Sequence, residues 1–253
     1  MKRKKRKRIF ILLFSFIPIF SYYLFFKSNF FNINKIEIGG ENLECATMQQ
    51  IIDSSKILGR NFFLLDTKAI TENVKSKFIC VSNILFYKSL PNKVKIDVVS
   101  RKPKAVILNL KNDEATTSSI FENIATPSAQ DMKDGFLLDE QGVIFSKNDD
   151  LLNIPRILIN DPTLSLSKTI DINILKVLEK VKIFGIDINF STILDNSLAI
   201  SSSPKVIFNL NNNLDTQIAS LQLILEKAKI DSEVLEFIDL RFDKPIVRLA
   251  PKK

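Results

Sequence analysis

The chain has 253 residues, 45% hydrophobic and 25% charged, with 9 Pro and 6 Gly. That is enough length for one large or two small domains, and too apolar a composition for a disordered chain. Histidine is absent and the only two cysteines are Cys45 and Cys80. Ser-His-Asp and Cys-His nucleophile systems, histidine general bases, His-ligated metals and a cysteine-only structural zinc site are therefore excluded.

The net charge of +8 is local, because eight of the 36 Lys and Arg lie in the first 27 residues, which hold no Asp or Glu. The other 28 balance the 28 acidic residues, so the body of the chain is formally neutral. It has no cationic excess with which to neutralise a run of phosphates, and no nucleic-acid partner is expected.

Residues 1–8 form a basic tail, KRKKRKR after Met1, and residues 9–26 follow as an 18-residue stretch without charge. As a helix that stretch reaches about 27 Å, against a hydrocarbon core of about 30 Å. Thirteen of its residues are Leu, Ile or Phe, and together they favour insertion by at most about 4–8 kcal/mol. Pro18 in its middle kinks the helix, which membrane helices tolerate. Tyr22, Tyr23, Phe30 and Phe31 lie where an interfacial aromatic belt belongs, and Lys27 can snorkel to the headgroups. A cleaved signal peptide would have a shorter apolar core followed by small residues, whereas Lys27-Ser28-Asn29-Phe30-Phe31 follows here. A buried core helix would not carry seven contiguous cations at its mouth. The expectation is an uncleaved single span with a cytoplasmic N-terminus and an extracytoplasmic body. In that compartment Cys45 and Cys80 could pair, although two small buried thiols are the expected state for a lone pair in so small a domain.

Beyond the span the pattern predicts a strand at Lys35-Ile36-Glu37-Ile38 ending in a turn at Gly39-Gly40-Glu41-Asn42. Thr47 with Gln50 makes a capping box before Ile51-Ile52, and Gly59 closes that helix. Asp66 caps a second helix, whose Ala69, Ile70 and Val74 fall at helical spacing. A strand through Ile84 and Phe86 turns at Leu90-Pro91-Asn92. The next strand has Val94, Ile96 and Val98 alternating with Lys93, Lys95 and Asp97, and Pro103 ends it.

Residues 109–134 are polar and without a sustained period, and read as an exposed, mobile loop. Phe136-Leu137-Leu138 and Val143-Ile144-Phe145 read as two strands around the Asp139-Glu140-Gln141-Gly142 turn. One helical stripe is formed by Ile174, Val177, Leu178 and Val181, and another by Ile218, Leu221, Leu225 and Ala228, with short strands at 198–201 and 206–210 between them. The end of the chain is a hairpin, with strands at 236–242 and 246–249 around Lys244-Pro245. The fold class is therefore α+β: a single transmembrane helix at 9–26, a small βααββ domain, then a larger mixed sheet with helices.

No residues are nominated for catalysis, cofactor binding or metal binding. Gly39-Gly40 precedes no phosphate-binding motif and reads as a turn. Asp149-Asp150, Asp231 with Glu233, and Asp239 with Asp243 are pairs in sequence only, and Asp239 beside Arg241 reads as a surface ion pair on a strand.

The stretch from Phe31 to Ala105 resembles the POTRA domain of the FtsQ/DivIB family of bacterial cell-division proteins. The similar phrases are Phe31 to Asn42, which is one residue longer at the turn than F-x-I-x-x-I-x-V-x-G-N, and Gly59-Arg60-Asn61-Phe62-Phe63-Leu64-Leu65-Asp66. The third runs from Val81 through Pro91, Val94, Ile96, Val98, Arg101, Pro103 and Ala105, with Ser100 where the family has Glu. Leu138 to Phe145, Ile154-Pro155 and Ile238-Asp239-Leu240-Arg241-Phe242 are similar to phrases of the family's β domain. The resemblance implies a POTRA domain at 31–103 and a β domain at 104–253. It also implies a non-enzymatic scaffold of the divisome at the septum, which binds FtsB/FtsL-like partners and helps control septal peptidoglycan synthesis. Other division proteins would meet the POTRA domain or the membrane helix.

The family docks its partner along the C-terminal strands, and no later strand in the sequence covers the terminal hairpin, so the expected partner-binding residues are Leu240, Arg241, Phe242, Asp243 and Val247. Phe242 is expected as the aromatic anchor and Arg241 as a charged contact, with Leu240 and Val247 supporting the strand from beneath. The alternatives are another membrane-anchored POTRA assembly protein and an anchored envelope hydrolase. The topology is open to a direct test: protease added to intact spheroplasts should digest residues 28–253, and protection of that body, or a mature N-terminus beyond residue 20, would refute the uncleaved N-in span.

Overall fold

The computed structural model describes residues 20–23, 25–40, 43, 45–109, 135–147, 154–188 and 190–251. The basic tail, residues 9–19 and 24 of the expected span, Glu41-Asn42 of the expected turn, residues 110–134 of the expected loop and Asp149-Asp150 lie outside them. Residues 20–23 and 25–26 are helical, and among the described residues no helix is long and apolar enough to cross a membrane. The chain divides into two units, Met1–Arg101 and Lys102–Lys253.

In the first unit the order is β1 (Lys35–Gly40), α1 (Met48–Ser55), α2 (Thr67–Lys77), β2 (Val81–Ser89) and β3 (Lys93–Ser100). The helices begin where the caps require. Gln50 N–H donates to Thr47 Oγ1 while Thr47 N–H donates to Gln50 Oε1, and Ala69 N–H donates to Asp66 Oδ1. The sheet order is β1-β3-β2, with β1 parallel and β2 antiparallel to β3. Val94, Ile96 and Val98 of this central strand are each 1% exposed and share an apolar cluster with Ile51 of α1 and Ile70 and Val74 of α2. The two-residue alternation in the sequence is the burial of one strand face.

Two expectations are corrected here. Gly39 and Gly40 are not a turn: β1 continues through them, pairing Gly39 with Asp97 and Gly40 with Val98. Gly40 has φ +116°, and a Cβ there would sit against the Val98 backbone. The close approach of two strands, not chain reversal, demands these glycines. Cys45 and Cys80 are not thiols but a disulfide with Cα atoms 6.1 Å apart, 35 residues apart in sequence. It ties the segment before α1 to the residue preceding β2, an approach set by the fold rather than by spacing.

The second unit holds β4 (Ala105–Asn109), β5 (Phe136–Leu138), β6 (Ile144–Lys147), β7 (Arg156–Ile159), α3 (Ile172–Ile183), β8 (Phe190–Leu194), β9 (Ser197–Ser201), β10 (Lys205–Asn209), α4 (Leu214–Ile230), β11 (Leu235–Asp239) and β12 (Ile246–Leu249). They form one mixed sheet of order β12-β11-β10-β9-β8-β7-β4-β5-β6. Each helix connects a parallel pair, α3 between β7 and β8 and α4 between β10 and β11. Ile174, Val177, Leu178 and Val181 of α3 and Leu221 and Ala228 of α4 are buried in one cluster with Ile107, Ile157, Ile200 and Phe208 of the sheet.

The periodicity leaves β4, β7 and β8 unassigned. β4 is buried at four consecutive positions, Ala105 to Leu108. Strands covered on both faces read as continuous apolar runs and lose the alternation that marks a half-buried strand. Gly40→Ala checks the crowding in the first unit: strain at a left-handed φ should remove about 1–3 kcal/mol of stability, read by urea denaturation, and an unchanged midpoint would contradict the close strand approach.

Candidate partner-binding edge

An open sheet ends in two strands with one unpaired side each, and the two ends of this sheet differ. At one end the segment after β7 crosses β6. Ile144 N–H donates to Lys168 O at 2.9 Å, Ser167 N–H donates to Ile144 O at 2.9 Å, and Ile170 N–H donates to Gly142 O at 2.7 Å. Asp161 anchors this strap by an ion pair with Lys168 and by accepting from Thr163 N–H. The Lys168 hydrogen bond, foremost, holds the Asp161 pKa down at about 2, so the pair keeps its charges as pH falls toward that value.

At the other end β12 has β11 as its one strand neighbour among the described residues. All four of its residues are exposed, including Ile246, Val247 and Leu249. Arg248 pairs with Glu236 across the hairpin at 3.2 Å, with both side chains about half exposed (63% and 46%), so the pair orders the surface more than it stabilises it. The edge is short and flanked by Pro245 and Pro251, features that limit non-specific strand pairing, yet three of its four side chains are apolar.

Beside this edge the chain turns sharply after β11. Asp239 is buried, 4% exposed, and its Oδ1 accepts Arg241 N–H at 3.0 Å, which closes a side-chain-to-backbone turn. The Arg241 guanidinium returns to the same carboxylate, with Nε 3.0 Å from Oδ1 and Nη2 2.8 Å from Oδ2. It also lies 5.6 Å from the centroid of the Phe242 ring. Phe242 is 54% exposed. Leu240 N–H donates to Ile207 O at 2.9 Å, and its side chain is buried. Leu240, Phe242, Asp243 and Pro245 line one wall of a cleft of about 460 Å³, with Asn212 and Thr216 on the other side.

Four of the five expected contact residues, Leu240, Arg241, Phe242 and Asp243, thus follow β11 directly, and the fifth, Val247, stands on β12. Three details of the sequence reading are corrected. The strand stops at Asp239 instead of Phe242, because the Asp239 carboxylate captures the Arg241 N–H and bends the chain. Asp239 and Arg241 form a partly buried, multiply bonded pair (side chains 5% and 23% exposed), not a surface one. Val247 does not support the strand from beneath: β12 is exposed on both faces, and Val247 is 39% exposed. The reading also missed Ile246 and Leu249, whose signal is a short apolar run without alternation. Among the described residues no cluster of three or more Cys, Asp or Glu could hold a metal ion.

Among the described residues the larger sheet thus ends in an edge strand, β12, with three exposed apolar side chains and no strand beyond it. Residues 31–101, within the first unit, match the family model of the POTRA domain, FtsQ-type. This match supports the resemblance to the FtsQ/DivIB family and suggests protein–protein interaction in cell division, generally a non-enzymatic scaffold role. Comparison with curated proteins found no match. The turn that presents Phe242 is testable: Asp239→Ala should cost about 2–3 kcal/mol in chemical denaturation, below the 3–5 kcal/mol of a fully buried pair because Arg241 can reach water, and a wild-type midpoint would show that the pair does not hold this turn.

Proposed function

We propose that the protein is a bitopic membrane scaffold of the bacterial divisome. In this reading residues 9–26 anchor it with the N-terminus in the cytoplasm. The two units then work outside the membrane at the septum, where they bind FtsB/FtsL-like proteins and help control septal peptidoglycan synthesis. The Cys45–Cys80 disulfide suits an oxidising compartment. The FtsQ-type POTRA match supports the division role.

The observation that carries the partner assignment is the contrast between the two sheet edges among the described residues: β6 is bonded to a strap at Ile144, and β12 has no strand beyond it. A bare edge can accept another chain by β-augmentation, in which main-chain hydrogen bonds supply affinity and alternate side chains supply specificity. β12 offers only four residues, so much of the discrimination falls on the side chains around it. Phe242, held beside its cleft, is the aromatic anchor, Arg241 and Asp243 are the charged contacts, and Ile246, Val247 and Leu249 are the apolar rail. Leu240, buried beneath, ties the start of the turn to β10 through its N–H bond to the Ile207 carbonyl.

Phe242→Ala should weaken the FtsB/FtsL-like partner by about 2 kcal/mol, roughly 30-fold in Kd, with thermal unfolding unchanged because the ring is half exposed. Removing residues 243–253 should abolish co-purification from gently solubilised membranes. Partner binding retained by both variants while they stay folded would refute the assignment.

A further inference from the structure

The loop between α1 and α2 is bonded to the chain that leaves residues 9–26. Gly59 N–H donates to Ile33 O at 2.8 Å, Ile33 N–H donates to Arg60 O at 2.9 Å, and Phe62 N–H donates to Phe31 O at 2.8 Å. Asn61 reaches further back, its Nδ2 donating to the Phe25 carbonyl at 2.8 Å. Rings seal the junction. The Phe63 ring lies 5.3 Å from Phe25, 6.4 Å from Phe26 and 5.1 Å from Phe31, and Phe25 stacks on Phe31 at 5.1 Å. The POTRA domain therefore does not hang from a loose tether: one of its loops packs on Phe25 and Phe26, the helical residues just before Lys27.

That packing leaves apolar surface uncovered. Phe30 is 59% exposed, Phe63 41% and Leu64 64%, next to Phe25 at 43% and Phe26 at 37%. Soluble faces seldom gather so many exposed large apolar side chains. In the chain Lys27 follows Phe26 and Arg60 precedes Asn61, the Lys88 Nζ lies 3.4 Å from the Phe62 and Leu65 carbonyl oxygens, and the acidic residue next to the loop is Asp66, whose Oδ1 caps α2.

We propose that Phe30, Phe63 and Leu64 dip into the outer membrane–water interface beside the helix and hold the POTRA domain against the bilayer, with Lys27 and Arg60 at the lipid phosphates. The inference rests on the reading of residues 9–26 as a span. If they span, Phe25 lies at the outer end of a segment about 27 Å long in a core of about 30 Å. Phe63, in contact with Phe25, then lies at nearly the same depth, and Leu64 follows it. An apolar patch edged by cations at that depth matches the headgroup and acyl boundary that receives interfacial side chains.

The chain contains no Trp, so single tryptophans can report depth in the full-length protein in nanodiscs of phosphatidylcholine and phosphatidylglycerol. The probes are Leu64→Trp and Phe63→Trp in the loop, Phe16→Trp in the span and Ile230→Trp in the second unit, where Ile230 is 81% exposed. Lipid brominated near the headgroup end of the acyl chain should remove at least about half of the emission from both loop probes, and lipid brominated near the methyl end should do the same to Phe16→Trp, with blue-shifted maxima, while Ile230→Trp stays nearly unchanged in both. Phe16→Trp quenched with both loop probes like Ile230→Trp would overturn the proposal and leave the span standing, the loop then facing water or another protein. Phe16→Trp unquenched would overturn the span reading and, with it, the proposal.

Discussion

Every backbone N–H and C=O at the edge of a sheet needs a partner, and an open sheet always has two edges. The second unit meets this demand unequally. Around β6 the strap near Ser165–Ile170 supplies hydrogen bonds from within the same unit, fastened by Asp161 and Lys168. Around β12 no described strand does so. The strap shows how this chain covers an edge strand at Ile144, and among the described residues no strand lies beside β12 in the same way. The apolar exposure of Ile246, Val247 and Leu249 points the same way, since water gains nothing by facing them.

Two buried aspartates shape how this unit presents its turns. Asp139 accepts Gln141 N–H at 2.9 Å and Val143 N–H at 2.8 Å after β5, and Asp239 accepts Arg241 N–H after β11. Each replaces a missing backbone partner with a carboxylate and so ends a strand abruptly. At Asp139 the result is a tight hairpin inside the fold. At Asp239 the result is an exposed Phe242, positioned by a partly buried charge pair instead of by burial of the ring itself. A side chain available to a partner and yet fixed in place binds with less loss of conformational freedom.

The first unit works by a different constraint. Its three strands must lie close enough for parallel pairing of β1 with β3, and Gly39 and Gly40 permit that approach against Asp97 and Val98. The same unit uses Phe31 and Ile33 as backbone partners for residues 59–62, which stiffens the passage from residues 20–26 into the domain. A stiff passage lets the anchor reading carry information about where the domain sits relative to a bilayer, which a flexible linker would erase.

The amino-acid sequence by itself determined the elements whose signals are local. The Thr47 and Asp66 caps, the Val94-Ile96-Val98 alternation, the Asp139 to Gly142 turn and the stripe on α3 need only their near neighbours to be read. Only the tertiary structure decided the rest. β4 is buried on both faces and so shows no period, and β7 and β8 have two buried residues each, too few to record one. The Cys45–Cys80 disulfide, the strand role of Gly39-Gly40 and the burial of Asp239 depend on segments far apart in the chain that meet in the fold. In the candidate site, the phrase from Ile238 to Phe242 marked the neighbourhood, while which hairpin strand has no further neighbour among the described residues, and the exposure of Val247, depended on strand order, which short-range chemistry cannot specify.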